Sequence, residues 1–183
     1  LAPNMGLYNA VLHPLTTLPT GGFSPEARSI EAFSATVQWL IIPFMVVAGT
    51  NFALFWGALT DGPSRLLEDA EFRYYTGLLG VGTALVAGLL YGGVGVGLAE
   101  LPVAVAPIPG QLEDALRHGA FQAVSIVTTT GYASMDFNTG SGASQSGLLV
   151  ARFLGGSAGA TGGAIKMVRT LVIVKAVKRE LFT

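Results

Sequence analysis

Two long stretches without a single Asp, Glu, Lys or Arg constrain this chain more than any other feature. They are residues 32–60, a run of 29, and residues 74–99, a run of 26. A helix needs roughly 20 apolar residues to cross the hydrocarbon core of a bilayer, so each run is long enough with some tilt. Helices buried in soluble proteins are seldom so long. Only 11% of the residues are charged and 51% are hydrophobic, whereas a soluble domain carries about 25% charged residues. With a mean hydropathy of +0.58, the chain has too few charges to cover a water-facing surface. The expectation is an all-α integral membrane protein.

The net charge of −1 gives nothing to attract nucleic acid. No cysteine is present, which removes disulfide and thiolate chemistry. Leu1-Ala2-Pro3-Asn4 carries neither an initiator Met nor the basic start of a signal peptide, as if cut from something longer.

Along the chain, a short apolar helix over residues 5–15, ended by Pro14, precedes a polar segment, Thr16-Thr17-Leu18-Pro19-Thr20-Gly21-Gly22-Phe23-Ser24-Pro25. A first spanning helix follows over 33–59, kinked at Pro43, with Trp39 and Trp56 near its two interfaces. Residues 60–73 read as a charged loop and 74–98 as a second spanning helix. Prolines 102, 107 and 109 then break the chain before a second short helix over 111–126. A second polar segment, Val127-Thr128-Thr129-Thr130-Gly131-Tyr132, comes after it. The last element starts near Gln145 and is interrupted by five glycines between 155 and 163. The Lys/Arg bias sets the 60–73 loop and the C-terminal helix in the cytoplasm, with Arg65, Arg73, Lys166, Arg169, Lys175, Lys178 and Arg179 against Arg28 and Arg117 outside. Both Thr/Gly segments therefore lie on the outer side.

Those two segments look like copies of one unit. Aligning Gly22-Phe23 with Gly131-Tyr132 puts Thr20 opposite Thr129 at an offset of 109 residues, each behind a helix too short to span. Such a helix dips into the membrane and returns, and irregular backbone is tolerated there only where protein buries it or it lines an aqueous cavity. Glycine allows the φ/ψ values that aim consecutive carbonyls at one point. Threonine adds a hydroxyl, and a ring of such oxygens can replace the hydration shell of a potassium ion. The aromatic after each glycine, Phe23 or Tyr132, would pack outward and hold the diameter of the ring. An ordinary turn after a helix is the plainer reading of one such triplet.

The glycine block is more distinctive. Gly155, Gly156, Gly159, Gly162 and Gly163 fall at mid-membrane depth, where each costs a helix about 1 kcal/mol relative to Ala. An unwound loop between two half helices is expected, a pattern that marks ion and substrate paths. A phosphate-binding loop is the competing reading, but no glycine directly precedes Lys166 and no strand precedes the run. Close helix packing is the bland one.

Thr20-Gly21-Gly22-Phe23-Ser24, Thr128-Thr129-Thr130-Gly131-Tyr132 and the block from Gly155 through Lys166 together resemble the signatures of the TrkH/KtrB potassium transporter superfamily, in its order and at suitable distances. The resemblance implies helix–pore loop–helix repeats with re-entrant pore helices and a broken, Gly-rich third helix. It assigns 1–59 to the pore loop and second helix of repeat two, 60–73 to a cytoplasmic loop, and 74–183 to all of repeat three. Thr20, Gly21 and Gly22, with Thr128, Thr129, Thr130 and Gly131, match the potassium filter, where only a monovalent cation would bind. Gly155, Gly156, Gly159, Gly162, Gly163 and Lys166 belong to the intramembrane gate at 155–164. The family further implies a multi-pass protein of the cell membrane, a homodimer, and a cytosolic nucleotide-binding regulatory subunit of TrkA/KtrA type. Potassium is the transported ion, no cofactor is expected in this chain, and no enzyme chemistry is. Ala164 stands where a third consecutive glycine often occurs, and Arg152 where an apolar residue is usual. With repeats one and four absent, this chain alone should not conduct.

An ion-coupled secondary transporter, binding a small solute at the broken helix, is the second reading the residues leave open. An intramembrane enzyme has no His/Glu pair, Ser/His dyad or Asp pair at membrane depth to support it. His13 and His118 read as structural, lacking a second ligand at metal spacing.

Overall fold

The computed structural model describes residues 5–92, 110–135, 160–161, 172–173, 176–177 and 179–180. Its elements among these are α1 (Leu7–Thr17), a 3-10 turn (Ser29–Ala32), α2 (Ala35–Ala48), α3 (Phe52–Asp61), α4 (Ser64–Glu68), α5 (Ala70–Tyr91) and α6 (Leu112–Val127). The architecture of the described residues is all-helical.

Both short helices form as read, and neither is long enough to cross a bilayer. Their 11 and 16 residues span roughly 17 and 24 Å at the rise of an α-helix. Pro14 does not end α1, which runs on to Thr17. The Thr17 hydroxyl donates to His13 O at 2.6 Å, and Thr16 Oγ1 lies 3.2 Å from the carbonyl oxygens of Leu12 and His13.

The first charge-free run is not one kinked helix. It is two, α2 and α3, bent by 90°, and Pro43 lies inside α2 without breaking it. The break falls at Gly49–Asn51 because long-range packing selects it. A Cβ on Gly49 would lie 2.4 Å from the Tyr75 hydroxyl and 2.7 Å from Thr128 Cγ2, so only glycine admits this approach. Thr50 Oγ1 and Tyr75 Oη both donate to Val46 O, satisfying the end of α2. Asn51 then caps α3 by accepting from Ala53 N. Trp39 and Trp56 consequently sit on different helices.

The 60–73 segment is also more ordered than a loop. It contains α4, and α5 begins inside it at Ala70, capped by Asp69 Oδ1, which accepts from Phe72 N at 2.7 Å. Among the described residues α5 is the one continuous helix long and apolar enough to cross a membrane, and only 22% of its most apolar stretch is buried. A core helix of a soluble protein is mostly buried. Here Val81 and Leu85 face outward, as an apolar surround or further helices require.

The core lies where α2, α5 and α6 meet, with Val37, Ile41, Tyr75, Phe121 and Val124 buried. The α5–α6 contact is close at Gly119, where a Cβ would lie 2.7–2.9 Å from atoms of Ala87. These contacts set the C-terminal ends of α1 and α6, and the loops that leave them, side by side.

Candidate functional site: two paired loops behind short helices

The 109-residue repeat seen in the sequence is repeated in the backbone. Thr20 and Thr129 both take the left-handed conformation, φ 55° and 58°, as do Gly22 and Gly131 at 63° and 84°. Thr20 N donates to Thr17 O at 3.0 Å, and Thr129 N to Ile126 O at 3.1 Å. Gly21 N and Gly22 N converge on Thr16 O at 2.9 and 3.2 Å; Thr130 N and Gly131 N converge on Ser125 O at 2.9 and 3.4 Å. The Thr16 hydroxyl donates to Phe23 O at 3.0 Å and the Ser125 hydroxyl to Tyr132 O at 2.7 Å. Every partner pair is offset by the same spacing.

This pattern has a chemical consequence. Each loop turns its amides back onto the carbonyls at the end of its helix, as a left-handed cap does. Among the described residues, no hydrogen bond reaches the carbonyls of Gly21, Gly22, Thr130 or Gly131. A carbonyl left without an internal donor can accept from water, from another donor or from a cation. Helix C-termini, each equivalent to roughly half a negative charge, add to the attraction for a cation.

The two loops touch. A Cβ on Gly22 would lie 1.8 Å from Thr130 O, whereas one on Gly131 would meet nothing within 4 Å among the described residues. Thr128 is buried; its hydroxyl donates to Val124 O and pairs with Thr130 Oγ1 at 2.8 Å. Thr20 Oγ1 donates to Pro19 O. Gly21 and Gly131 are exposed in this chain.

Tyr132 packs away from the loop as expected, 2% exposed, and its hydroxyl pairs with Thr16 Oγ1 at 2.5 Å and lies 3.3 Å from both Thr17 Oγ1 and His13 O. One phenol therefore ties the second loop to the helix of the first. Its counterpart Phe23 is 74% exposed. Tyr132→Phe should cost about 1 kcal/mol, the net worth of one buried hydrogen bond. Thermal inactivation of the complete protein reads this loss, and unchanged inactivation would show the strut to be idle.

The proposed gate residues Gly155, Gly156, Gly159, Gly162, Gly163 and Lys166 lie outside the described residues, as does Arg152. Thr161, inside that block, is described: its hydroxyl lies 3.1 Å from Leu18 O and 3.2 Å from Ala48 O. It thus meets the C-terminal ends of α1 and α2 together.

Sequence reasoning missed a polar cluster behind the second loop. Arg117, whose side chain is 9% exposed, donates to Glu113 Oε1 at 3.1 Å and pairs with Asp114 and with Gln38 Oε1. The indole of Trp39 also donates to Glu113, and chiefly for that reason the Glu113 carboxyl sits below its usual range. Arginine only donates, so His118 Nε2, 3.2 Å from Arg117, accepts, and Nδ1–H donates to Ser134 Oγ at 2.9 Å. Both histidines are structural in geometry: His13 bonds Asn9 O and Ser24 Oγ. No group of three metal-ligating side chains occurs among the described residues.

Comparison with known proteins gives a consistent picture. The sequence profile of the TrkH family, described as a cation transport protein, matches residues 4–183. The Trk system potassium uptake protein TrkH of Halomonas elongata is 31% identical over 183 residues, covering 99% of this chain and 35% of that protein. TrkH of Escherichia coli (strain K12) is 29% identical over 179 residues, covering 97% and 34%. The crystal structure of the potassium transporter TrkH from Vibrio parahaemolyticus matches with a TM-score of 0.82 at 28% identity, covering 97% of this chain and 36% of that one. The chain spans about a third of the length of these relatives.

Proposed function

Because the chain belongs to the TrkH family of cation transport proteins, we propose that it supplies two loops of a potassium filter and the intramembrane loop that gates it. The observation that carries this reading is the pair of loops in contact that share left-handed positions and hydrogen bonds, with carbonyls of Gly21, Gly22, Thr130 and Gly131 left without donors among the described residues. A dehydrated potassium ion takes those oxygens, with Thr20, Thr128 and Thr129 completing the two segments, in place of its water shell. The remaining oxygens of the ring come from parts of the whole protein beyond this third of its length. No bond is made or broken in the process, only hydration exchanged for coordination.

The gate is the block containing Gly155, Gly156, Gly159, Gly162, Gly163 and Lys166. Its support is the Thr161 hydroxyl against the ends of α1 and α2, together with the low helix propensity of its glycines. The protein works in the cell membrane as a multi-pass homodimer, with a cytosolic nucleotide-binding regulatory subunit. That assembly rests on family membership.

The test is rubidium or potassium uptake by the complete protein in cells lacking their own potassium importers, beside a Gly131→Ser variant. Gly131 has a φ of 84° and no described atom within 4 Å of where a Cβ would stand, so serine adds about 1–2 kcal/mol of backbone strain. The expected result is a transporter that reaches the membrane and has lost uptake or become sodium-permeable. Uptake indifferent to Gly131, or absent while another solute is carried, would favour the broken-helix transporter instead.

A further inference from the structure

The cluster around Arg117 reaches the second filter segment by two separate routes. In the first, Arg117 pairs with the Gln38 carbonyl oxygen, and Gln38 Nε2 donates to Phe33 O at 3.3 Å and Ile30 O at 3.4 Å, across the 3-10 turn. Ile30 N and Glu31 N, at that turn, both donate to Ala133 O at 3.1 and 3.2 Å. In the second, Arg117 fixes the acceptor nitrogen of His118, whose other nitrogen donates to Ser134 Oγ, and Gln122 Nε2 donates to that same oxygen at 3.3 Å. Ala133 and Ser134 are the second and third residues after Gly131. One guanidinium therefore holds the exit of that segment through main chain on one side and side chain on the other.

Holding the helices together does not require this cluster. Val37 and Ile41 of α2 already pack with Phe121 and Val124 of α6 in a buried apolar core. Apolar burial is non-directional, whereas hydrogen bonds have strict distance and angle requirements. The cluster adds direction at the second loop. The first loop is held differently: His13 bonds Ser24 Oγ and Asn9 donates to Glu26 Oε1, and at the position equivalent to Arg117 stands Tyr8, 67% exposed.

We propose that Arg117 is a positioning residue for ion discrimination, acting through Gln38 and His118 to set the exit of the second filter segment and with it the carbonyl of Gly131. The inference rests on the filter reading given above. Arg117→Lys keeps the charge but cannot present the planar fork that meets Gln38, Glu113 and Asp114 together. Gln38→Met keeps Arg117 paired with both acids and cuts only the first route.

The experiment measures rubidium uptake and its competition by sodium in the complete protein, for the parent, Arg117→Lys, Gln38→Met and Gly131→Ser. Discrimination and KM are ratios per working molecule and do not depend on how much protein reaches the membrane. The expected result is a severalfold rise in KM for rubidium and a severalfold loss of discrimination against sodium in both cluster variants, larger for Arg117→Lys. Reduced maximal uptake with KM and discrimination unchanged in both would overturn the proposal and leave the cluster a purely structural element. If Gly131→Ser shifts discrimination while neither cluster variant does, the positioning role fails and the filter stands. If Gly131→Ser also leaves discrimination unchanged, the filter reading itself fails, and this inference with it.

Discussion

Gly22→Ala should abolish cation uptake, and should do so more severely than Gly131→Ala, although the two glycines are equivalent in the repeat. Both positions carry positive φ, so each alanine adds about 1–2 kcal/mol of left-handed strain. The difference is in what surrounds them. The new Cβ at position 22 would lie 1.8 Å from Thr130 O and 2.8 Å from Thr130 C, while at 131 it would meet nothing within 4 Å among the described residues. Thr130 is backbone inside the opposite loop, so relief requires one loop to move by more than an ångström against the other. The strain is common to both variants, so overpacking, about 1–3 kcal/mol, sets the difference between them, against about 1.4 kcal/mol for a tenfold change in an equilibrium. Uptake of rubidium by membrane-inserted protein should fall about 5- to 150-fold below the Gly131→Ala level. Equal effects of the two alanines would mean that the loops do not meet at this point.

That asymmetry marks how far the sequence alone can be read. The repeat was legible because its cause is local. An amide turned back onto a helix end needs left-handed residues, and the Thr and Gly positions recur at a fixed offset. The short helices and the second spanning segment were legible for similar reasons of length and apolarity. What escaped depends on residues far apart in the chain. Pro43 is the obvious place to bend the first charge-free run, yet the bend falls at Gly49 because Tyr75 and Thr128 occupy the space a side chain would need. Arg117 reads as an outer-side charge, and nothing near it in sequence announces Gln38, 79 positions away, as its acceptor. Tyr132 was expected to brace the ring with its bulk, but its hydroxyl makes the tie to Thr16 across 116 positions.

The second large effect should come from the contact between α5 and α6, which carries no ion chemistry at all. A Cβ at Gly119 would lie 2.7 Å from Ala87 N, 2.8 Å from Ala87 Cβ and 2.9 Å from Ala87 Cα. Two of those three atoms are backbone of a helix, so Gly119→Ala forces α6 away from α5 instead of shifting a flexible side-chain end. The expected cost is about 1–3 kcal/mol, read as earlier thermal inactivation of the complete protein in detergent. Transport should suffer as well, because α6 ends at Val127 and delivers Thr128 through Gly131. Ala87→Gly supplies the control. It removes the Cβ contact and leaves Ala87's backbone nitrogen and Cα in place, so the double variant should recover part of the lost stability and not all of it. Neighbouring sites of this kind are where additivity fails. Full recovery would show that only the methyl groups collide, and no recovery that the helices are kept apart by backbone alone. A Gly119→Ala protein as stable as the parent would mean that α5 and α6 do not pack at this distance, and the second loop would then need a different foundation.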